Sequence, residues 1–320
     1  MEQRLRPINA ILALCTPGDL HDPALHRAGF EVAGLEVPVT TPHGTVVIDV
    51  LLAQRATSHL IACEGKSGGN VEVGQAQRYF ALDAQAVVHA GGVDLPTRRP
   101  PTVEPLYVCL DHYVERIARG LTESGLSFPI LTVRTTQLKL ATRDQAGEAL
   151  AGAIPDGGVF LPGGIPAYVP FDDHSRPDDV RRAVRAQLAT LQSRKITEQS
   201  IKTLTEQTIP RLSIYGKGLR AALTRMVRAA VQQIAHEEPD VFEYRRNTER
   251  HDELVRVLRT PEDNDPRGRT QAWQANGRPR STPRRRTAPS PDQLDLLGEL
   301  GSADSVSGAE DDDLDREVGP

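Results

Sequence analysis

The stretch TVVIDVLLAQRATSHLIACEGKSGGNVEVGQAQRY, from Thr45 to Tyr79, decides the fold class and the chemistry of this chain. Asp49 interrupts an apolar run that is typical of a β-strand, where a buried carboxylate without a partner is costly. A second apolar run ends in Glu64 and Lys66, which are two residues apart and therefore point to the same side of a strand. Two carboxylates beside an ammonium group suit metal-dependent phosphodiester chemistry, because carboxylates bind hard divalent cations and a lysine can position the attacking water.

The pattern around this stretch predicts an α/β fold in the order helix, three strands, helix, strand. Residues 30–39 alternate in polarity like a strand, and TPHG at 41–44 has the composition of a turn that returns the chain as a hairpin. Residues 73–89 carry apolar side chains at helical spacing. The predicted segments are helix 6–14, strands 30–39, 45–52 and 58–64, helix 73–89, and strand 106–110.

This order of elements and motifs resembles the PD-(D/E)xK, or restriction-endonuclease-like, phosphodiesterase superfamily. Members share an αβββαβ core with an Asp on the second strand and a (D/E)-x-K on the third. The resemblance implies that Asp49 and Glu64 bind Mg²⁺ or Mn²⁺, with the Gly65 carbonyl as a further ligand. It also implies that Lys66 positions the attacking water.

The helix after this motif adds Gln75 and Tyr79, a QxxxY pattern similar to that of RecB-like members. The two residues are four apart and share one helix face, from which they are expected to support the site or contact DNA. Many relatives carry a further acid or a histidine on the first helix, and the first helix of this chain has neither. Five nearby residues are the candidates for that role: Asp19, Asp22, His26, Glu31 and Glu36.

Length and composition favour a two-domain protein of the cytoplasm. The chain has 320 residues, which corresponds to about two domains. No apolar run approaches the roughly 20 residues of a membrane span. Three cysteines without a CxxC pair indicate buried thiols in a reducing compartment rather than a disulfide or zinc framework.

The net charge of −5 conceals a mildly basic main part. Residues 290–320 hold ten acids and one base, which leaves 37 basic and 33 acidic residues, a charge of +4, for the rest. Such a balance permits nucleic-acid binding without requiring it.

Residues 1–156 are predicted to form the nuclease-like domain and residues 176–260 a helical second domain. Helices are expected at 178–191, 196–209 and 218–236, followed by a β-type stretch at 240–244, the parts of a winged helix-turn-helix domain. The longest helix carries Arg220, Arg225 and Arg228, and Arg245, Arg246 and Arg250 would extend a basic surface. The alternative is a helical packing domain with a solvated arginine face.

Residues 261–320 are predicted to be a disordered charged tail, because polar, proline-rich and charge-blocked sequence buries too little surface to fold. One apolar island, QLDLL, begins at Gln293 and ends at Leu297. It resembles the pentapeptide that binds the bacterial sliding clamp, although that motif usually prefers an aromatic residue at its last place. The alternative is a short helical turn without a partner.

The leading expectation is a Mg²⁺- or Mn²⁺-dependent deoxyribonuclease in repair, restriction or phage defence. Asp49, Glu64, Lys66, Gln75 and Tyr79 are its expected site residues. One alternative is a non-catalytic DNA-binding or regulatory protein on a nuclease-like scaffold. Another is an unrelated α/β domain in which the ExK triplet lies on the surface without a role.

Overall fold

The computed structural model describes residues 3–18, 21–96, 98–247 and 252–259. Residues 3–160 of the described part form a mixed α/β structure around a seven-stranded sheet. The helices are α1 (Arg6–Cys15), α2 (Ala24–Arg27), α3 (Val73–Phe80), α4 (Ala84–Gly91), α5 (Val114–Glu123) and α6 (Glu148–Ala153). The strands are β1 (Phe30–Thr41), β2 (Gly44–Gln54), β3 (His59–Lys66), β4 (Thr102–Leu110), β5 (Ile130–Val133), β6 (Gln137–Leu140) and β7 (Val159–Phe160).

The seven strands lie in the sheet in chain order, from β1 to β7. β1, β2 and β3 form an antiparallel meander, whereas β3, β4 and β5 run parallel to one another. β6 and β7 return antiparallel at the far edge. The parallel step from β3 to β4 requires a crossover connection, and α3 and α4 lie in that connection.

The two faces of the sheet are covered by different helices. On β3, Ile61 and Cys63 pack with α1, whereas Leu60 and Ala62 pack with residues of α3, α4 and α5. This alternation is the period of two that a strand imposes on its side chains. All three cysteines lie in this part of the chain, and all are free and buried. Within the described ranges, none of the helices combines the length and apolar character needed to cross a membrane.

The helix predicted over residues 73–89 is two helices, with a break after Phe80. Asp83 stands just before α4, and its carboxylate accepts a hydrogen bond from the Ala86 backbone N–H at 2.8 Å. A side-chain cap of this kind starts a new helix. The apolar spacing alone did not reveal it, because both helices keep apolar residues on the side that faces the sheet.

The C-terminal part of the described chain contains three helices and a second, smaller sheet. Its elements are α7 (Pro177–Ser193), β8 (Glu198–Ser200), α8 (Ile201–Thr208), α9 (Lys217–Glu237), β9 (Phe242–Asn247) and β10 (Asp252–Val257). The three strands pair antiparallel in the order β8-β10-β9. The helix predicted to begin at 196 begins at Ile201, because residues 198–200 pair with β10 and the Ser200 hydroxyl caps the helix at Thr203.

One hydrophobic cluster joins the larger sheet to the helices that follow it. Leu5 near α1, Leu35 of β1 and Leu223 of α9 are all members of this cluster, and all are at most 2% exposed. The segment before α9 also forms a single parallel β-bridge with β1, between Tyr215 and Leu35. α9 therefore begins against the edge strand of the large sheet.

Candidate active site

Three carboxylates lie at one level of the sheet on three neighbouring strands. The pairing of β2 with β3 ends at Val50 and Cys63, and Asp49 and Glu64 are the next residue on each strand. β1 and β2 pair on both sides of Glu36 in a register that places it opposite Asp49.

Glu64 is held by three donors although its side chain is almost fully buried. Only 5% of the residue is exposed. Its Oε2 accepts a hydrogen bond from the Tyr79 hydroxyl at 2.8 Å, and its Oε1 accepts one from the Gln75 amide at 3.0 Å. The Lys66 ammonium group lies 3.0 Å from the same Oε1. A buried carboxylate with this set of donors keeps one orientation.

Gln75 connects the two charged residues of the ExK motif. Its amide N–H donates to Glu64, while its Oε1 accepts from the Lys66 ammonium group at 2.5 Å. The same ammonium group lies 5.3 Å from the centre of the Tyr107 ring. Gln75 and Tyr79 project from one face of α3, as their spacing predicts. The structure thus brings Glu64, Lys66, Gln75 and Tyr79 into one hydrogen-bonded network.

Asp49 is connected to this network through the backbone of Gly65. The Gly65 N–H donates to Asp49 Oδ2 at 2.6 Å. Burial raises the pKa of the Asp49 carboxyl group, and repulsion from Glu64 and then Glu36 raises it further, against the Gly65 hydrogen bond and Lys66. A Cβ at position 65 would lie 3.3 Å from Asp49 Oδ2 and 3.3 Å from the Ile8 side chain. Glycine at this position therefore lets the Asp49 carboxylate approach the backbone.

Of the five candidate upstream residues, Glu36 is the one that lines a cavity together with Asp49. Asp22 is paired with Arg27 and Glu31 with Arg55, both in exposed ion pairs. His26 is exposed on α2, and Asp19 lies outside the described residues. Burial, followed by the carboxylates of Asp173, Asp172 and Glu64, raises the pKa of Glu36 to about 7.

The oxygen donors of the site are of the chemical type that a hard divalent cation takes. In the described part of the chain, no three His, Cys, Asp or Glu side chains converge closely enough to form a ready-made metal group. Asp49, Glu64 and the Gly65 carbonyl are all oxygen donors, and Mg²⁺ commonly takes one or two carboxylates and fills the rest with water and substrate phosphate. Burial and the neighbouring carboxylates disfavour the ionised form of Asp49 and raise its pKa, and a bound cation would act in the opposite direction.

Two tyrosines near the site were not among the residues expected from the sequence. Tyr107 lies beside Lys66, and Tyr215 lines the cavity that Asp49 and Glu36 share. The hydroxyl groups of both are buried and have no hydrogen-bond partner in the described structure. In the sequence, Tyr107 has the pattern of an aromatic residue in a core strand, and Tyr215 has that of a loop residue. No sequence pattern therefore marked either tyrosine as a residue near the site.

A groove with basic walls lies between α8 and α9. Its volume is about 530 Å³, and Lys202, Arg211 and Arg220 contribute its cationic groups beside a single acid, Glu206. A second groove of about 400 Å³ shares Arg220 with the first and is bounded on its other side by β1. The start of α9 therefore presents basic groups next to the strand that carries Glu36.

Comparisons with known proteins identified no relative of this chain. No protein-family model, no curated protein and no solved structure matches the chain. Any functional assignment must therefore come from the residues and contacts of the chain itself.

Proposed function

We propose that this protein is a divalent-metal-dependent nuclease that hydrolyses phosphodiester bonds of DNA, with a site of the PD-(D/E)xK type. The observation that carries the proposal is the network in which Gln75 joins Lys66 to Glu64, while the N–H of Gly65 between them donates to Asp49. A buried lysine fixed beside two carboxylates on adjacent strands has little use in packing alone. It suits a site that must hold a cation and a water molecule next to a phosphate.

The order of elements supports the same proposal. α1 is followed by the antiparallel β1, β2 and β3, then by α3 and α4, and then by β4 parallel to β3. This order supports the αβββαβ arrangement that the resemblance implies, apart from the additional short α2 before β1 and the division of the crossover helix into α3 and α4. Asp49 lies on the second strand and Glu64 on the third, as the superfamily pattern requires.

Each residue of the site has a role in this reaction. Asp49, Glu64 and the Gly65 carbonyl would hold Mg²⁺ or Mn²⁺, which supplies Lewis-acid polarisation of the scissile phosphate when bound. The Lys66 ammonium group positions the attacking water and offsets phosphate charge. Gln75 holds Lys66 at a set distance from Glu64, and the Tyr79 hydroxyl holds the other oxygen of Glu64. Hydrolysis joins the water oxygen to phosphorus and releases the ester oxygen, which takes up a proton.

The second part of the chain supports DNA as the substrate. Its order of helix, strand, helix, helix and β-hairpin, with β8 pairing β10, is typical of a winged helix-turn-helix domain. Lys202, Arg211 and Arg220 line the groove between its second and third helices. Phosphate contacts of such cationic groups dominate the affinity of proteins for DNA.

The experiment that tests this function is incubation of the purified chain with plasmid, linear duplex and single-stranded DNA in Mg²⁺, Mn²⁺ or EDTA. We expect cleavage with either cation and none in EDTA. Asp49→Ala and Lys66→Ala should each abolish cleavage with the fold intact. Asp49→Ala should also weaken Mn²⁺ binding, whereas Lys66→Ala should largely spare it, because lysine is not a metal ligand. Lys139→Ala, at an exposed lysine of β6, is the matched control and should cleave like the wild type.

A non-catalytic DNA-binding protein on the same scaffold is the second candidate. The observation in its favour is that both carboxylate oxygens of Glu64 already accept hydrogen bonds, one of them beside the Lys66 ammonium group. The same assay separates the two functions. DNA binding without cleavage, unchanged by Lys66→Ala, would favour the scaffold role and contradict the nuclease proposal.

We also propose a bacterial sliding clamp as a partner of the segment from Gln293 to Leu297, which lies outside the described residues together with Arg250 and residues 261–320. A peptide that spans the segment should bind a clamp with a Kd on the order of 1 μM, about −8 kcal/mol. Replacing Gln293 and Leu296 with alanine should remove that binding and leave cleavage of naked DNA unchanged. An unbound wild-type peptide at high micromolar concentration would exclude the clamp as a partner.

A further inference from the structure

The two grooves at the start of α9 adjoin each other. The first lies between α8 and α9, the second lies between α9 and β1, and Ser213 and Arg220 line both of them. Their volumes are about 530 Å³ and 400 Å³. Sites for drug-sized molecules, a class that includes a single nucleotide, commonly have volumes of about 300–1,000 Å³. Each groove therefore has room for a ligand of about the size of one nucleotide.

The cationic side chains along these grooves lack carboxylate partners. Lys202, Lys217 and Arg220 are exposed, and none of them forms an ion pair or a side-chain hydrogen bond with the described residues. The remaining cation, Arg211, donates to the Thr16 hydroxyl at 3.0 Å rather than to a carboxylate. Cationic groups that gather in a groove without counter-charges favour an anionic ligand.

The arginines of α7, in the same part of the chain, are partnered differently. Arg181, Arg182 and Arg185 each form an ion pair with an aspartate or a glutamate. Among the described residues that line the two grooves, Glu206 is the only acid. The grooves therefore hold an excess of positive charge that their own lining does not neutralise.

The first turn of α9 is held against β1, the edge strand of the large sheet. The Gly216 N–H donates to the Leu35 carbonyl at 2.7 Å, and Tyr215 forms a β-bridge with the same leucine. A Cβ at position 216 would lie 2.2 Å from the Glu36 carbonyl oxygen, so glycine is required for this close approach. β1 therefore lies directly beside the start of α9.

This contact disfavours the usual docking of a helix-turn-helix domain on duplex DNA. In that docking α9 would be the recognition helix, whose N-terminal residues enter the major groove. The major groove is about 12 Å wide and a helix with its side chains is about 10–12 Å across, so the groove admits the helix alone. β1 would collide with the sugar–phosphate backbone of the duplex, whereas a single strand can lie in the grooves on either side of the first turn.

We propose that the two grooves bind single-stranded DNA, with its phosphates on the unpaired cations and its bases against the apolar residues of β1. The second groove shares Leu35 and Tyr215 with the cavity that Asp49 lines, so a strand bound there runs up to the proposed active site. The inference rests on the proposed function for the choice of DNA as the ligand, and it names the form of DNA that the chain takes.

The test is fluorescence anisotropy in EDTA, where DNA stays intact, with a short labelled oligothymidine strand and a labelled duplex of the same length. The strand should bind at least tenfold more tightly than the duplex at equal salt. Replacing Lys202 and Lys217 with alanine should weaken strand binding about tenfold and reduce the salt slope of log K by about 1.4, at about 0.7 for each lost phosphate contact. The matched control replaces Lys139 and Arg182, exposed cations of β6 and α7, and should bind the strand like the wild type.

Both replaced lysines are exposed, so the double variant should fold, and far-ultraviolet circular dichroism checks that it does. Equal or tighter binding of the duplex, or wild-type affinity of the double variant for the strand, would overturn the inference. Cleavage with Mg²⁺ would then still leave the nuclease proposal standing. If the strand binds as expected but neither Mg²⁺ nor Mn²⁺ supports cleavage of any DNA, the inference stands and the nuclease function is wrong.

Discussion

Gln75 shows how much of the site depends on a single uncharged side chain. Its amide contacts Glu64 through nitrogen and Lys66 through oxygen, so it links the proposed metal ligand to the residue proposed to position water. Residues that orient metal ligands in this way typically contribute about 10- to 100-fold to activity or metal affinity. Loss of the Gln75 side chain should therefore lower the cleavage rate more than it lowers the free energy of unfolding.

We expect Gln75→Ala to lower the cleavage rate at saturating Mg²⁺ by about 10- to 100-fold, because Lys66 loses its acceptor and Glu64 loses a donor. Gln77→Ala, on the same helix at an exposed position, is the control and should cleave at the wild-type rate. Single-turnover cleavage of labelled duplex DNA measures the effect. Equal rates for the two variants would mean that Gln75 does not position the site.

The raised pKa of Glu36 predicts how the free energy of unfolding of the metal-free protein depends on pH. Because its pKa is raised from 4.5 to about 7 in the folded state, the folded state binds the proton more tightly than the unfolded state. The contribution of the protonated Glu36 carboxyl group to the free energy of unfolding is fully present below pH 4.5 and is lost as the pH rises from 4.5 through 7. The loss is about 3 kcal/mol, at about 1.4 kcal/mol per pH unit.

Urea unfolding in EDTA at pH 5 and pH 8 measures this dependence. The wild-type chain should lose more free energy of unfolding between the two values than Glu36→Gln, which cannot ionise. The raised pKa of Asp49 acts in the same direction and remains in both proteins. Identical pH profiles for the two proteins would show that Glu36 is ionised at little cost in the folded state.

At the scale of elements, α9 separates a packing face from a basic face. Leu223, Val227 and Val231 are fully buried in the shared cluster. Arg220 and Arg225 are exposed, whereas Arg228 is partly buried and donates to Glu253 of β10 at 2.5 Å. The three arginines that look alike in sequence therefore have different surroundings.

Replacing Arg220 and Arg225 with alanine should weaken DNA binding and reduce the salt slope of log K by about one for each phosphate that the side chains no longer neutralise. Arg182→Ala on α7 is the control, because that exposed arginine is already paired with Asp179. Arg228→Ala should lower stability rather than affinity, since it leaves Glu253 without its cation. Fluorescence anisotropy at several salt concentrations gives the slopes, and unchanged slopes would assign α9 to packing alone.

At the scale of the whole molecule, the hydrophobic cluster that joins α1, β1 and α9 determines how the chain unfolds. Residues 1–156 and 176–260, which the sequence presents as two domains, both contribute to it. The described residues of both belong to one compact unit. A core shared across a boundary couples the stability of the two sides.

We therefore expect one cooperative thermal transition for the intact chain, monitored by calorimetry and by far-ultraviolet circular dichroism. A fragment that ends at residue 156 should fail to fold, because Leu35 and the apolar residues of α1 would lose the later members of their shared hydrophobic cluster. A fragment that ends at residue 260 is the control and should unfold like the intact chain. Two separate transitions, or a folded 1–156 fragment, would show that the two parts are independent.

Local backbone geometry explains which features of the site could be predicted from the sequence alone. Period two places Glu64 and Lys66 on one side of a strand, and a spacing of four places Gln75 and Tyr79 on one face of a helix. These relations hold in any strand or helix, so they were readable before the strands were paired. The alternating and helical patterns likewise identified α1, β1 to β4 and α9 within a few residues.

The tertiary structure was needed to show which further residues lie near Asp49, because that proximity depends on strand register and on segments distant in the chain. Asp22, Glu31 and Glu36 looked equivalent in sequence, yet the pairing of β1 with β2 places Glu36 opposite Asp49. Tyr215 reaches the same cavity through a bridge to Leu35, 180 residues earlier in the chain. No local pattern encodes such a pairing, since its free energy comes from burying the two segments against each other.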